Sequence, residues 1–259
     1  MKKTLAFLGD ISDEDRIFAN SVADKVRAAQ ERYRDSYTFF LGEGRQELAR
    51  KVLASQQHEN FAFFGGYDGA DRKVLGIFGE YSLPQTEDFP VKALTFTYSK
   101  REKLTHRDFL GALMSMNVAR ETVGDILVNE GSTTVFLLDT AAGEAMRTIA
   151  KIGRTGVQIN EGFDENSLPE QKFSEITGTV SSLRADCIVA LAARCSRTKA
   201  EQLISAGAVS VKGVPLTDGA KKLSEGEGFS VRGHGKYIFS KIGGSTKKER
   251  TFIELKKFI

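Results

Sequence analysis

Tryptophan is absent from this chain of 259 residues, and cysteine, histidine and proline are scarce. The two cysteines, Cys187 and Cys195, lie on one predicted helix, too far apart for a disulfide within that helix. No C-x-x-C spacing occurs, so neither a zinc nor a redox site is predicted, and we expect both thiols to act as small buried hydrophobic groups. His58 and His234 are isolated in the sequence, so we predict no metal ion and no cofactor.

Long hydrophobic runs are also missing. No stretch approaches the roughly 18 apolar residues that a membrane helix needs. The apolar run at residues 5–8 is too short for a signal peptide, and acidic residues follow it at once. The hydrophobic fraction of 41% and the charged fraction of 27% are ordinary for a globular protein. We therefore expect a cytoplasmic protein of two or three small domains without a membrane partner.

Positive charge is concentrated in the last third of the chain. Residues 181–259 contain 15 Lys and Arg against 7 Asp and Glu, whereas residues 1–180 contain 22 against 27. A basic face on a small module is typical of a partner with a phosphate backbone, although charge alone fits a solvated lysine-rich surface equally well.

Hydrophobic periodicity predicts an α+β protein of three domains. In the N-terminal α/β unit, residues 1–90, Ser12 and Asp15 resemble a capping box that starts a helix, and the order β-α-β-β follows. Residues 85–88 form a polar linker. In residues 91–165 the order is β-α-β-β-α-β, which is the ferredoxin-like plait. Many RNA-binding modules use this plait, but the aromatic residues that stack bases in such modules are poorly matched, with Phe136 alone on the third strand.

The third predicted domain, residues 180–259, begins with two helices and continues with short strands that end in a β-hairpin. Ser196 is placed to cap the second helix, and Gly207 to end it. Basic residues occur on both helices and on the strands that follow, where they should extend the charge from the sheet edge. The candidate RNA-binding residues are Arg184, Ser196, Arg197, Thr198, Lys199, Lys212, Lys221, Lys222, Arg232, Lys236, Lys241, Lys247 and Lys248.

The order of these elements resembles the S-four RNA-binding domain over residues 181–239. The resemblance rests on Arg184-Ala185-Asp186, on Ser196 to Ala200 with Gly207, and on the segment from Val209 to Lys236. Ala185, Lys212 and Glu227 replace the usual Leu, Asn and Asp. The module shows no obvious aromatic row, so we expect it to bind the shape and backbone of RNA rather than a base sequence.

Two further segments resemble signatures of the bacterial YlmH family, so that the likeness covers nearly the whole chain. The first is Phe63-Phe64-Gly65-Gly66-Tyr67 with Ala70, Arg72 and Lys73, and the second is residues 104–115 with residues 124–128. The resemblance implies binding to the large ribosomal subunit, to ribosomal RNA or tRNA, and a role in the rescue of stalled nascent chains on peptidyl-tRNA. It implies no catalytic residue, and no small-molecule substrate is evident.

A second RNA or partner site is predicted near the start of the first plait helix, at Arg101, Lys103, His106 and Arg107. His106-Arg107-Asp108 looks like a kinase triplet, but no glycine loop precedes it, and the spacing of Thr105 and Asp108 favours a capping box. Two other function classes stay open. One is an RNA-modifying enzyme of the pseudouridine-synthase type, and the other is a protein scaffold on which RNA is incidental.

Overall fold

The computed structural model describes Leu8, residues 11–165, Leu168, residues 172–245 and residues 250–259. Helices and sheets are both present, so the predicted α+β class is confirmed. The chain forms two compact units, Met1–Pro169 and Glu170–Ile259. Within the described ranges, no helix is long and apolar enough to cross a membrane.

The first unit opens with two helices packed on a three-stranded antiparallel sheet. Ser12 caps the first helix by accepting a hydrogen bond from the Asp15 N–H at 3.1 Å, as the sequence predicts. Small apolar residues of this helix, such as Ala19 and Val22, are fully buried. The elements are α1 (Asp13–Arg32), β1 (Ser36–Leu41), α2 (Glu43–Ser55), β2 (Phe61–Phe64) and β3 (Lys73–Ile77). The strands of the sheet have the order β1-β3-β2.

A four-stranded antiparallel sheet with two helices completes the first unit. The elements are β4 (Val91–Thr97), α3 (His106–Met114), β5 (Val123–Asn129), β6 (Ser132–Leu138), α4 (Asp139–Thr148), β7 (Lys151–Ile152), β8 (Thr155–Gly156) and β9 (Gln158–Glu161). The strands of the sheet have the order β5-β6-β4-β9, so its first strand lies between its third and its fourth. The predicted order of elements is present, with one addition, the hairpin β7–β8 that follows α4.

The two sheets of the first unit share a hydrophobic core. Phe40 and Val74 of the three-stranded sheet belong to the same buried cluster as Phe136 and Leu138 of β6. The contact is close, because a Cβ atom on Gly66 would lie 2.1 Å from Cδ1 of Phe136. At this contact between the sheets, a larger residue has no room, so the glycine is required sterically as well as for its φ of +101°.

The second unit is a six-stranded antiparallel sheet with two helices on one face. The elements are β10 (Phe173–Val180), α5 (Ala185–Ala192), α6 (Arg197–Ser205), β11 (Val209–Val211), β12 (Val214–Pro215), β13 (Gly228–Val231), β14 (Gly235–Ser245) and β15 (Thr251–Phe258). The strands have the order β10-β15-β14-β13-β11-β12. The sequence did not predict β10. Gly178 of this strand lies against Leu191 of α5, where a Cβ atom would be 2.5 Å from Cδ1.

Alternation along the strands separates the two faces of this sheet. Side chains such as Phe239, Ile253 and Leu255 are fully buried against α5 and α6 in one cluster. Since successive side chains point to opposite faces of a strand, their neighbours in sequence lie on the face away from the helices. The helices therefore shield one face of the sheet only.

Candidate nucleic-acid interface

A buried carboxylate joins the starts of the two helices of the second unit. The side chain of Asp186, in the first turn of α5, is 0% exposed, and its Oδ2 atom accepts hydrogen bonds from Arg184 Nη2 at 2.7 Å and from Arg197 Nη2 at 2.8 Å. The Nε atoms of both arginines donate to the same carboxylate. One aspartate thus fixes the position of two guanidinium groups that are 36% and 50% exposed.

The two arginines also determine the direction in which the pKa of Asp186 is shifted. Burial of the carboxyl acts to raise the pKa, but the hydrogen bonds from Arg184 and Arg197 outweigh it and lower the pKa well below the ordinary range. The carboxylate is therefore ionised at neutral pH, and both guanidinium groups remain charged. Asp186 was not predicted as part of the site. A lone carboxylate in an otherwise apolar helix is the signal that could have found it.

The exposed start of α6 carries the next group of predicted residues. The Ser196 hydroxyl accepts a hydrogen bond from the Lys199 N–H at 3.2 Å, which confirms the predicted cap. Thr198 and Lys199 are exposed beside it. Free N–H groups at a helix start favour anions, and two cationic side chains, Arg197 and Lys199, lie within the same turn.

Lys221 and Lys222 lie beside the start of α5. The Ala185 N–H donates to the Lys221 carbonyl at 2.8 Å, and the Asp186 N–H donates to the Gly219 carbonyl at 3.1 Å. A backbone bridge also pairs Arg184 with Lys222. Because both lysine side chains are exposed, the loop adds two positive charges near Arg184.

Lys212 and Arg232 lie in the turns that follow β11 and β13. Lys212 adopts a left-handed conformation with φ of 49° after β11, and its Nζ atom pairs with Glu227 at 3.2 Å. Burial acts to raise the pKa of Glu227, but its bonds from the Ser224 N–H and from Lys212 lower it. Arg232 is exposed after β13, where its backbone N–H donates a hydrogen bond to the Ala208 carbonyl.

Lys236 and Lys241 do not lie at a sheet edge. They belong to β14, which is an interior strand between β13 and β15. The buried Tyr237 points toward the helices, so Lys236 lies on the opposite face, where its Nζ atom is 5.0 Å from the ring centroid of Phe258. The expectation that Lys236 extends the charge from the sheet edge is therefore wrong. Lys247 and Lys248 lie outside the described residues.

The second predicted site surrounds the start of α3. The Thr105 N–H and hydroxyl both donate to Asp108 Oδ2 at 2.7 Å, so the predicted capping role is confirmed. Arg101, Lys103 and Arg107 are exposed here. Burial and the charge of Arg120 lower the pKa of His106, so its ring is neutral at neutral pH and adds no charge.

The two family-like signatures meet at Asp125, close to this second site. Its carboxylate accepts hydrogen bonds from the Tyr67 hydroxyl at 2.9 Å, from the Asp71 N–H at 2.7 Å and from the Arg72 N–H at 3.1 Å. Burial nevertheless raises the pKa of Asp125, and burial together with the Asp125 charge raises that of Tyr67. The sequence pattern located both signatures but did not predict this contact.

The guanidinium group of Arg72 ties the same region together. Its Nε atom donates to the Val123 carbonyl at 2.9 Å, and its Nη2 atom donates to the Phe40 carbonyl at 3.2 Å. Arg120 donates to the Val123 carbonyl as well, at 2.7 Å. These groups hold the loop after β2 against the start of β5. Their role in the structure is to position backbone segments.

Cys187 is buried and Cys195 is partly buried, and both are free thiols. Among the described residues, no group of three or more His, Cys, Asp or Glu side chains could hold a metal ion.

Comparison with known proteins gives the family. The family model described as "Putative RNA-binding domain in YlmH" matches residues 84–165, the segment that contains the second predicted site. The chain is 31% identical over 239 residues to the "Ribosome-associated protein quality control protein P2" of Bacillus subtilis (strain 168), which covers 92% of this chain and 93% of that protein. The chain therefore belongs to the YlmH family.

A solved structure supports the fold. The "Cell division protein ylmH from Streptococcus pneumoniae" aligns with a TM-score of 0.53 and 21% identity, over 62% of this chain and 98% of that one.

Proposed function

We propose that this protein is a non-catalytic RNA-binding factor. It binds structured RNA on the large ribosomal subunit or on peptidyl-tRNA, in quality control of stalled nascent chains, and it acts in the cytoplasm. The arrangement of domains belongs to the same proposal: an N-terminal domain at 1–90, a ferredoxin-like plait at 91–165 and an S-four-type RNA-binding domain at 180–259. The relative from Bacillus subtilis, which carries the name of a ribosome-associated quality control protein, supports this proposal.

The observation that carries the proposal is the pair of guanidinium groups fixed by Asp186. Arg184 and Arg197 each use one edge of the guanidinium group on the carboxylate, and both side chains keep exposed surface. A planar guanidinium held in position loses little conformational entropy when it meets a phosphate. Lys199 and the start of α6 add charge and N–H donors beside it.

The segment matched by the family model adds a second RNA contact. The exposed cations Arg101, Lys103 and Arg107 all lie within residues 84–165. Since His106 is neutral at neutral pH, this contact depends on the three other side chains and weakens little when His106 is replaced.

The alternatives of an RNA-modifying enzyme and of a protein scaffold have less support. A pseudouridine-synthase type of enzyme needs a reactive aspartate, whereas Asp125 and Asp186 each accept several hydrogen bonds that hold backbone or guanidinium groups. A scaffold does not need guanidinium groups fixed beside a helix start. A turnover assay on bulk tRNA and ribosomal RNA that yields a modified base would overturn the proposal.

The experiment is sedimentation of the full chain with ribosomal particles through a sucrose gradient at moderate salt. The parent protein should migrate with the large subunit, and Arg197→Gln combined with Lys199→Gln should shift it to the top of the gradient. The matched control is Arg32→Gln with Lys51→Gln, which removes two exposed positive charges from α1 and α2 of the first unit.

Salt dependence supplies a second readout. If about four phosphates are contacted, the logarithm of affinity should fall against the logarithm of salt with a slope near −3. The Arg197→Gln/Lys199→Gln variant should show a slope smaller by roughly 2, because each cation lost removes about one unit. A slope that does not change would exclude these side chains as phosphate contacts.

A further inference from the structure

Aromatic residues that are far apart in sequence gather on the open face of the second unit's sheet. Phe173 of β10 and Phe258 of β15 are partners in the strand register, and their ring centroids are 5.0 Å apart at an angle of 63°. Phe252 lies on the same face of β15 and is 37% exposed. Both rings of the pair are also partly exposed.

Lysines are interleaved with these rings. Lys236 Nζ lies 5.0 Å from the centroid of Phe258, and Lys256 Nζ lies 5.8 Å from that of Phe173. Lys256 is flanked on its own face by Glu175 of β10 and by Ile238 of β14. The face therefore combines apolar ring surface with cationic side chains at one end of the sheet.

The charge at this end favours an anionic partner. Lys172 lies at the same end as Lys236 and Lys256, and Glu175 is the carboxylate opposite Lys256. Lys257 is at this end as well but lies on the helix side of the sheet, near the ring of Tyr237. In the part of this unit that the structure describes, both helices pack on the other face of the sheet. Partly exposed aromatic rings among cations fit unpaired nucleotides, because bases stack on rings and phosphates pair with ammonium groups.

We propose that this face, defined by Phe173, Phe258, Lys236 and Lys256, binds unpaired nucleotides of RNA by base stacking. This goes beyond the proposed function, in which the starts of α5 and α6, against the other face of the sheet, contact the backbone of structured RNA. It also replaces the expectation from sequence that the module lacks an aromatic row, since the rings meet only when β10 pairs with β15.

The test compares two RNA probes on the full chain by fluorescence anisotropy. One is an unpaired RNA 12-mer that repeats a trinucleotide of mixed sequence, and the other is its abasic analogue, which has the same phosphates but no bases. Stacking of one base on an aromatic ring strengthens binding roughly 5- to 150-fold. We therefore expect the parent protein to bind the intact probe at least tenfold more tightly than the abasic one. Equal affinities would overturn the proposal.

Variants then show which residues provide the part of the affinity that depends on the bases. Phe258→Leu should weaken binding of the intact probe about tenfold and leave the abasic probe unchanged. Phe39→Leu is the matched control, because Phe39 is an exposed phenylalanine of the first unit, at 58%. An unchanged ratio between the two probes for Phe258→Leu, in a protein whose Cys187 is still protected from a thiol reagent, overturns the proposal.

A separate arm distinguishes this proposal from the proposed function. Arg197→Gln/Lys199→Gln should weaken both probes equally and preserve the ratio between them. If that variant leaves both affinities unchanged while Phe258→Leu still makes the two probes bind equally well, the result supports the stacking face and contradicts the proposed site at the helix starts. Crosslinking of the parent protein to a 4-thiouridine 12-mer should modify β10 and β15, and crosslinks found only elsewhere would contradict the proposal.

Discussion

Removing the two arginines around Asp186 should destabilise the second unit more than removing all three charged groups. Arg184→Met with Arg197→Met leaves a carboxylate that is 0% exposed without a cation. An uncompensated buried charge of this kind costs about 3–5 kcal/mol in the free energy of unfolding. Adding Asp186→Leu replaces the two carboxylate oxygens with two methyl groups of the same arrangement, so most of that loss should be recovered.

The single variants should differ from the double variant for the same reason. Asp186 keeps one guanidinium partner in Arg184→Met or Arg197→Met, and each arginine is partly exposed, so solvent screens the lost interaction. The desolvation of the carboxylate, in contrast, is not screened. The sum of the two single losses should therefore fall short of the loss in the double variant.

The sign of the pH dependence gives an independent check. In the parent, the pKa of Asp186 is lowered, so its contribution to stability is present above the ordinary Asp pKa of about 3.9 and is lost as the pH falls through the folded pKa. In the double variant, the bonds from both arginines are gone, so burial outweighs the remaining hydrogen bond with Cys187 and raises this pKa. That variant should lose stability as the pH rises through the raised pKa, which is the opposite behaviour.

Unfolding of the second unit can be measured separately within the full chain. Both cysteines of the sequence lie in this unit, and Cys187 is 8% exposed. In a Cys195→Ser background, the reaction of Cys187 with a thiol reagent in increasing urea gives the midpoint of unfolding, and amide exchange of β13 and β14 gives the pH series. A triple variant as unstable as the double variant would refute the reasoning.

Three further predictions concern the first unit and are measured by amide hydrogen exchange of β5 and β6. Gly66→Ala should lower the free energy of unfolding by about 3 kcal/mol or more, because its Cβ atom would lie 2.1 Å from the ring of Phe136 at a φ of +101°. Gly69→Ala is the control and should lower it less, because Gly69 has a positive φ but open space around it. Tyr67→Phe should cost about 1 kcal/mol, since it removes one donor to Asp125, and a loss below a few tenths would contradict the shared contact. The raised pKa of Asp125 predicts that the unit loses stability as the pH rises through that pKa, and Asp125→Asn should abolish this dependence.

Local patterns predicted most elements of the fold. The caps at Ser12, Thr105 and Ser196 involve residues three positions apart, so the sequence contains the whole interaction. The strand β10 was missed because its alternation is weak: Gly178 and several Thr and Ser residues occupy positions where a strand usually has larger apolar groups. Its assignment depends on pairing with β15, more than 70 residues later in the chain.

The candidate site shows the same division. The basic residues could be proposed from sequence because charge is visible in composition, but their distribution over the two faces of the sheet depends on strand order. The S-four-like motif includes Asp186, but the sequence does not predict Asp186 as the partner of Arg197, because this pairing joins two helices. The aromatic face could not be predicted, because Phe173 and Phe258 become neighbours only through the register of the sheet.

The buried cluster shared by the two sheets of the first unit has a practical consequence for work on fragments. Phe136 and Leu138 belong to the segment matched by the family model, yet they are covered by Phe40 and Val74, which precede it. A fragment of residues 84–165 alone would expose this aromatic surface to water and should self-associate. The proposed RNA binding by that segment is therefore best measured on a fragment that retains the N-terminal sheet, in which the same surface stays covered.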